Sequence, residues 1–249
     1  MVDSHCHLDS CRPPPAELIA RARTAGIERI ATVGTDPGSI RRALAVADAH
    51  EEVAAIVGRH PHEAAGFEDR DLEEIERAAA HPKALGIGET GLDYYRELAP
   101  REDQRRAFEA QLELARRLEL PVVVHTRAAE EDTFDLLRAY AEGVTVLLHC
   151  FSTPSWLDEC VERGWLCSFA GNLTYPKSGD LHEAARRVPD DLLLVETDAP
   201  YLAPQPVRGR PNEPAHVRHT ASFLAELRGV PYAELEQVVE ANAARVFGW

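Results

Sequence analysis

Eight short apolar runs, most of them rich in β-branched residues, punctuate this chain, and longer stretches separate them. They lie at Met1–Ser4, Arg29–Val33, Val53–Val57, Ala84–Ile87, Pro121–Val124, Val144–Leu148, Trp165–Phe169 and Leu192–Val195. The intervening stretches include amphipathic ones such as Arg101–Leu118 and Pro154–Arg163. Continuous apolar strands alternating with helices imply a parallel sheet covered on both faces. Local signals agree. Asp36-Pro37 and Thr153-Pro154 each set a capping residue before a proline, and Asn212-Glu213-Pro214 suggests a further helix start. Gly26, Gly143 and Gly164 fall where helices should end. No Ser/Gly linker or internal repeat interrupts the pattern. The expectation is an α/β fold, a (β/α)8 TIM barrel, with residues 1–249 as a single domain. An open doubly wound sheet satisfies the same periodicity.

Composition narrows the function classes. The net charge of −15 argues against an extended basic nucleic-acid surface, though not against a small site. Five cysteines, Cys6, Cys11, Cys150, Cys160 and Cys167, form no CxxC pair. The reading is therefore of a cytoplasmic protein without structural disulfides, and a monomer is expected. No apolar run is long enough for a membrane span, and no signal-peptide pattern is visible.

Metal-ligand residue types fall one after another at the expected strand ends. His5 and His7 are two apart, so on an extended segment both imidazoles project to one side. His60 and His62 follow the third run and Glu89 the fourth. His125 and His149 end the fifth and sixth, and Asp198 follows the eighth. In a TIM barrel that end of the sheet carries the chemistry. These types suit zinc, manganese, magnesium, iron or cobalt. They also suit a two-metal hydrolase, with ions about 3.5–4 Å apart spanned by a carboxylate. Glu89 is the candidate bridge, and Asp198 could both ligate and accept a proton.

These residues carry a resemblance. Asp3-Ser4-His5-Cys6-His7-Leu8, Gly58-Arg59-His60-Pro61-His62, Gly88-Glu89-Thr90-Gly91-Leu92-Asp93-Tyr94-Tyr95, His149-Cys150-Phe151-Ser152, Glu196-Thr197-Asp198-Ala199-Pro200-Tyr201-Leu202 and Arg208-Gly209-Arg210-Pro211-Asn212-Glu213-Pro214 resemble, in order, segments of the TatD family of metal-dependent deoxyribonucleases. The resemblance implies an amidohydrolase-type TIM barrel, two divalent metal ions and hydrolysis of DNA, single-stranded or at 3′ ends, as a 3′–5′ exonuclease. It implies that His5 and His7 hold one ion, that Glu89 bridges, that His125 and His149 hold the second, and that Asp198 completes the first site. His60 and His62 then line the phosphate pocket. Thr90 and Thr153 depart from the family pattern, where an aliphatic residue and a glycine are usual.

Blander readings stand beside these. A lone strand-end histidine is usually a hydrogen-bonded polar residue. His50, His81, His182, His216 and His219 are read as surface residues. Cys6 and Cys150 alternate with ligands and so point away from them, as small buried hydrophobes. Arg127, Arg208 and Arg210 could contact phosphates or remain solvated. Tyr94, Tyr95 and Tyr201 could stack on a base or pack the rim. Two other functions share the residues. One is hydrolysis of an amide or ester, such as deacylation of D-aminoacyl-tRNA. The other is a non-catalytic binding protein, against which the intact ligand set speaks.

Overall fold

A computed structural model describes all of residues 1–249. It contains eight strands in one sheet, ordered β1 to β8 as in the sequence. The chain divides into two compact units, Val33–Leu148 and Met1–Thr32 with His149–Trp249.

In the first of these, β3 (Val53–Val57), β4 (Ala84–Asp93), β5 (Val122–Arg127) and β6 (Val146–Leu148) pair in parallel, each with the next. Between them run α2 (Pro37–Ala49, before β3), α3 (Asp69–Ala79), α4 (Arg101–Leu118) and α5 (Glu130–Tyr140). Asp36 caps α2 as expected: its side chain accepts from the Gly38 and Ser39 backbone N–H groups. On α4 the buried positions Gln104, Ala107, Phe108, Gln111, Leu112 and Ala115 recur every three or four residues. Phe108 and Ile87 are fully buried, each worth about 1.5–3 kcal/mol against exposure. Two glutamines sit in that apolar stripe because both reach back to β4 and its loops. Gln104 Nε2 donates to the Ala99 carbonyl at 2.8 Å, and Gln111 Nε2 to Thr90 Oγ1 at 2.7 Å.

One expectation fails here. Glu89 does not follow β4 but lies inside it, because the strand continues to Asp93. Beyond a register shift between Gly88 and Thr90, Gly91 pairs with His125 and Asp93 with Arg127. The glycines permit this close pairing. A Cβ at Gly88 would stand 2.6 Å from the Val123 carbonyl oxygen, and one at Gly91 would collide with that of His125.

The other unit contains β1 (Val2–Cys6), most of β2 (Arg29–Gly34), β7 (Leu166–Phe169) and β8 (Leu193–Val195). Its helices are α1 (Pro15–Thr24), α6 (Leu157–Arg163), α7 (Gly179–Arg187), α8 (Val217–Arg228) and α9 (Tyr232–Phe247). Val2, Ile30, Phe169 and Val195 are buried in its core. Two helix starts differ from expectation. Thr153 makes no cap; a 3-10 turn, Pro154–Trp156, intervenes before α6, and Thr153 Oγ1 is buried without a partner. Asn212-Glu213-Pro214 leads into a 3-10 turn, Pro214–His216, and Asn212 instead spends its amide on the Thr197 and Tyr201 carbonyls, at 2.8 and 2.6 Å.

Candidate metal centre

Each unit gathers its own cluster of histidines and carboxylates. In Val33–Leu148 the cluster comprises His60, His62, Glu89, Asp93 and His125. His60 Nδ1 accepts the His62 backbone N–H at 3.0 Å, which leaves its proton on Nε2, 3.4 Å from Glu89 Oε1. Burial pushes the His60 imidazole down to about 4, with the neighbouring His125 and His62 adding to the effect and Glu89 opposing it. His60 is therefore neutral at neutral pH, a donor to Glu89 rather than a free lone pair.

His125 lies between two carboxylates. Its Nδ1 is 2.8 Å from Glu89 Oε1 and its Nε2 is 3.3 Å from Asp93 Oδ2. A neutral imidazole has one N–H and cannot donate to both. A divalent cation accepting the lone pair on one side satisfies the arrangement, so the donor set fits a metal ion. Glu89, 2 % exposed, and Asp93, fully buried, are carboxylates that need such partners.

Sequence reasoning gave Asp93 no role. Its Oδ1 accepts the backbone N–H groups of Tyr95 and Arg96, at 3.0 and 2.7 Å, and its Oδ2 faces His62 and His125. Burial alone would raise its pKa, but the bonds from His125, the Arg96 backbone and His62 outweigh that and hold it well below the usual carboxylate range.

The second cluster comprises His5, His7, His149, Glu196 and Asp198. His5 stands in β1 and His7 one residue past it, and their Nε2 atoms are 3.4 Å apart, as two residues of spacing on a strand require. Asp198 Oδ1 lies 3.9 Å from His5 Nε2 and 3.5 Å from His7 Nε2. The His5 and His149 rings stack with centroids 4.1 Å apart. Desolvation would raise the Asp198 pKa; His7, His149 and His5 together lower it. Asp198 has φ +54°, a left-handed conformation that Asp tolerates, and its N–H donates to the His5 carbonyl at 2.9 Å.

Glu196 also went unassigned in the sequence. It is fully buried; its Oε1 accepts the Cys150 N–H at 2.8 Å and lies 3.1 Å from His149 Nδ1. This puts the His149 proton on Nδ1 and the lone pair on Nε2, the carboxylate–histidine arrangement that metal ligands commonly use. Glu196 Oε2 has no hydrogen-bond partner. Both missed carboxylates stand within quoted motifs, and that position was their only sequence signal.

The cysteines are inert here. Burial pushes the Cys150 thiol up to about 12 and Cys6 well above its usual value. Of the proposed substrate contacts, Tyr94 is engaged: its Oη donates to Asp132 at 2.6 Å, with the Arg101 guanidinium 4.1 Å from its ring centroid. Arg127 stacks on Tyr95 at 4.1 Å and Arg208 on Tyr175 at 4.0 Å. Tyr201 is 57 % exposed, its ring 6.1 Å from that of His7. Arg210 is exposed.

A (β/α)8 fold carrying histidine–carboxylate clusters around its strand ends defines a metal-dependent hydrolase. The chain belongs to the TatD family: the family described as TatD related DNase matches residues 2–248. It is 39 % identical over 258 residues to a protein of Mycobacterium tuberculosis (strain ATCC 25618 / H37Rv) named uncharacterized metal-dependent hydrolase TatD, covering 100 % of this chain and 98 % of that one. It is 35 % identical over 239 residues to the 3′-5′ ssDNA/RNA exonuclease TatD of Shigella flexneri serotype 5b (strain 8401), covering 93 % and 92 %. The crystal structure of YjjV, a TatD homologue from Escherichia coli K12, superposes with a TM-score of 0.92 at 29 % identity, over 100 % of this chain and 98 % of that one.

Proposed function

We propose that this protein is a 3′–5′ exonuclease that hydrolyses phosphodiester bonds at the 3′ ends of single-stranded DNA, using two divalent metal ions. The observation that carries the reading is His125 held between Glu89 and Asp93, an imidazole whose two nitrogens face two carboxylates. The naming of the Shigella flexneri relative as a 3′-5′ ssDNA/RNA exonuclease supports the choice of substrate.

In this reading His5, His7 and Asp198 would hold one ion, His125 and His149 would take part in holding a second, and Glu89 would serve both. When bound, such ions supply Lewis acidity that acidifies water and offsets phosphate charge. The chain's residues do the rest. Asp198 Oδ1 accepts a proton from the attacking water. His60 donates to Glu89 and keeps that carboxylate oriented. His62, held by Asp93, lines the phosphate pocket. Arg127, Arg208 and Arg210 contact the strand's phosphates, and Tyr94 and Tyr201 border the path of the strand. The metal could be zinc, manganese, magnesium, iron or cobalt, because nitrogen and carboxylate donors accept all of these. We read the protein as a monomer and place it in the cytoplasm, where its five free cysteines stay reduced.

The test is to load the purified protein with each metal in turn and incubate it with single-stranded DNA labelled at its 5′ end. Stepwise shortening from the 3′ end, abolished by EDTA and by Glu89→Gln, is the expected outcome. Intact DNA alongside turnover of an amide, an ester or a D-aminoacyl-tRNA would replace this reading with the amidohydrolase one.

A further inference from the structure

We propose that Tyr95, backed by Arg127, is a stacking platform for a nucleobase of the single-stranded substrate. The inference rests on the nucleic-acid reading and specifies which residues grip the strand.

The chain leaves few large apolar side chains in water. Tyr95 at 66 % and Leu98 at 63 % are the most exposed of them, and both lie in the loop between β4 and α4. Their position is not incidental. The Tyr95 N–H donates to Asp93 Oδ1, and the other oxygen of that carboxylate faces His62 and His125. Arg127 pairs in register with Asp93 and stands two residues beyond His125 on β5. An exposed aromatic ring is thus anchored through one buried carboxylate to the histidines of the site.

The ring is also set for stacking. The Arg127 guanidinium, 4.1 Å from its centroid, fixes its orientation and carries positive charge alongside it. Neither Arg127 nor Arg96 is ion-paired with a carboxylate, in a chain whose net charge is −15. An aromatic ring with a guanidinium that no carboxylate neutralises stacked on it fits a base with its adjoining phosphate. Tyr94, one residue earlier, is different: its hydroxyl is tied to Asp132, and the arginine over its ring is paired with Glu97. Tyr94 supports the loop, and Tyr95 meets the strand.

The experiment measures binding of two fluorescent single-stranded oligonucleotides, one with bases throughout and one abasic at its last three 3′ positions. Anisotropy is read in EDTA, so no cleavage occurs, and the ratio of the two Kd values is compared among variants. The wild type should prefer the base-bearing strand about tenfold. Tyr95→Ala should reduce that preference to near unity, and Tyr95→Trp should restore it. The alanine variant keeps the backbone bond to Asp93, and its melting temperature checks that it folds. A wild type that binds both strands equally, or a Tyr95→Ala variant that keeps the preference, would overturn the platform. If the base preference appears and depends on Tyr95 while the metal-loaded protein cleaves no DNA, the platform stands and the exonuclease reading falls.

Discussion

His62 Nε2 lies 2.8 Å from Asp93 Oδ2, so a fully buried carboxylate dictates which nitrogen of a partly buried histidine carries the proton. Asp93→Asn keeps an oxygen for the Tyr95 and Arg96 amides but turns an NH2 group toward both His62 and His125. The expected result is a 10–100-fold loss of kcat/KM, the usual scale for residues that orient ligands. Nitrogen-15 NMR of the His62 ring should show the tautomer reversed. An unaltered tautomer with full activity would sink the role.

Glu89→Gln distinguishes a bridge from a simple ligand. A carboxylate shared by two ions should, when neutralised, cost the protein both of them, whereas a ligand of one ion should cost one. Elemental analysis after metal loading and desalting reads the stoichiometry, with loss of both ions expected.

Glu196→Gln removes the charge that sets the His149 tautomer. Metal affinity, measured by competition with a chromophoric chelator, should fall 10–100-fold. Folding should survive, because the amide oxygen can still accept the Cys150 N–H.

The metal-free protein should lose stability in acid through His60. Its folded pKa is lowered to about 4, from 6.5 in the unfolded chain, so between these values the unfolded state binds the extra proton. Stability from this group is intact above about pH 6.5 and is lost progressively as the pH falls toward 4. Thermal melts in EDTA should show a steeper decline over that window for the wild type than for His60→Asn. Parallel curves would contradict the assignment.

The sequence revealed the strands more fully than the carboxylates. Each of the eight strands overlaps one of the apolar runs, because continuous burial leaves a continuous apolar signature. The far half of β4 was missed because Gly88-Glu89-Thr90-Gly91 has the composition of a turn, while its pairing depends on how closely β5 approaches. Asp36 and Thr153 carry the same capping signal, yet only Asp36 caps, since a 3-10 turn follows Thr153 where a helix follows Asp36. The histidines stood out because they are few and recur at strand ends. Asp93 and Glu196 did not, because among 42 acidic residues nothing in composition marks those that the fold buries against histidines.

Gln111 has a consequence for how the enzyme fails. Its Oε1 accepts the Arg59 N–H at 2.7 Å, and its Nε2 donates to the Arg59 carbonyl at 3.1 Å and to Thr90 at 2.7 Å. The residue just ahead of His60-Pro61-His62 is therefore clamped at both its backbone groups by a helix, not only by neighbouring strands. Thr90, a departure from the family pattern, spends its hydroxyl on this clamp and not on a ligand. Loosening of α4 would therefore free the backbone that leads into the two histidines without breaking any strand pairing. Heat inactivation that runs ahead of unfolding is the expected consequence, with the melting of one clasp rather than of the whole molecule as the enzyme's working ceiling.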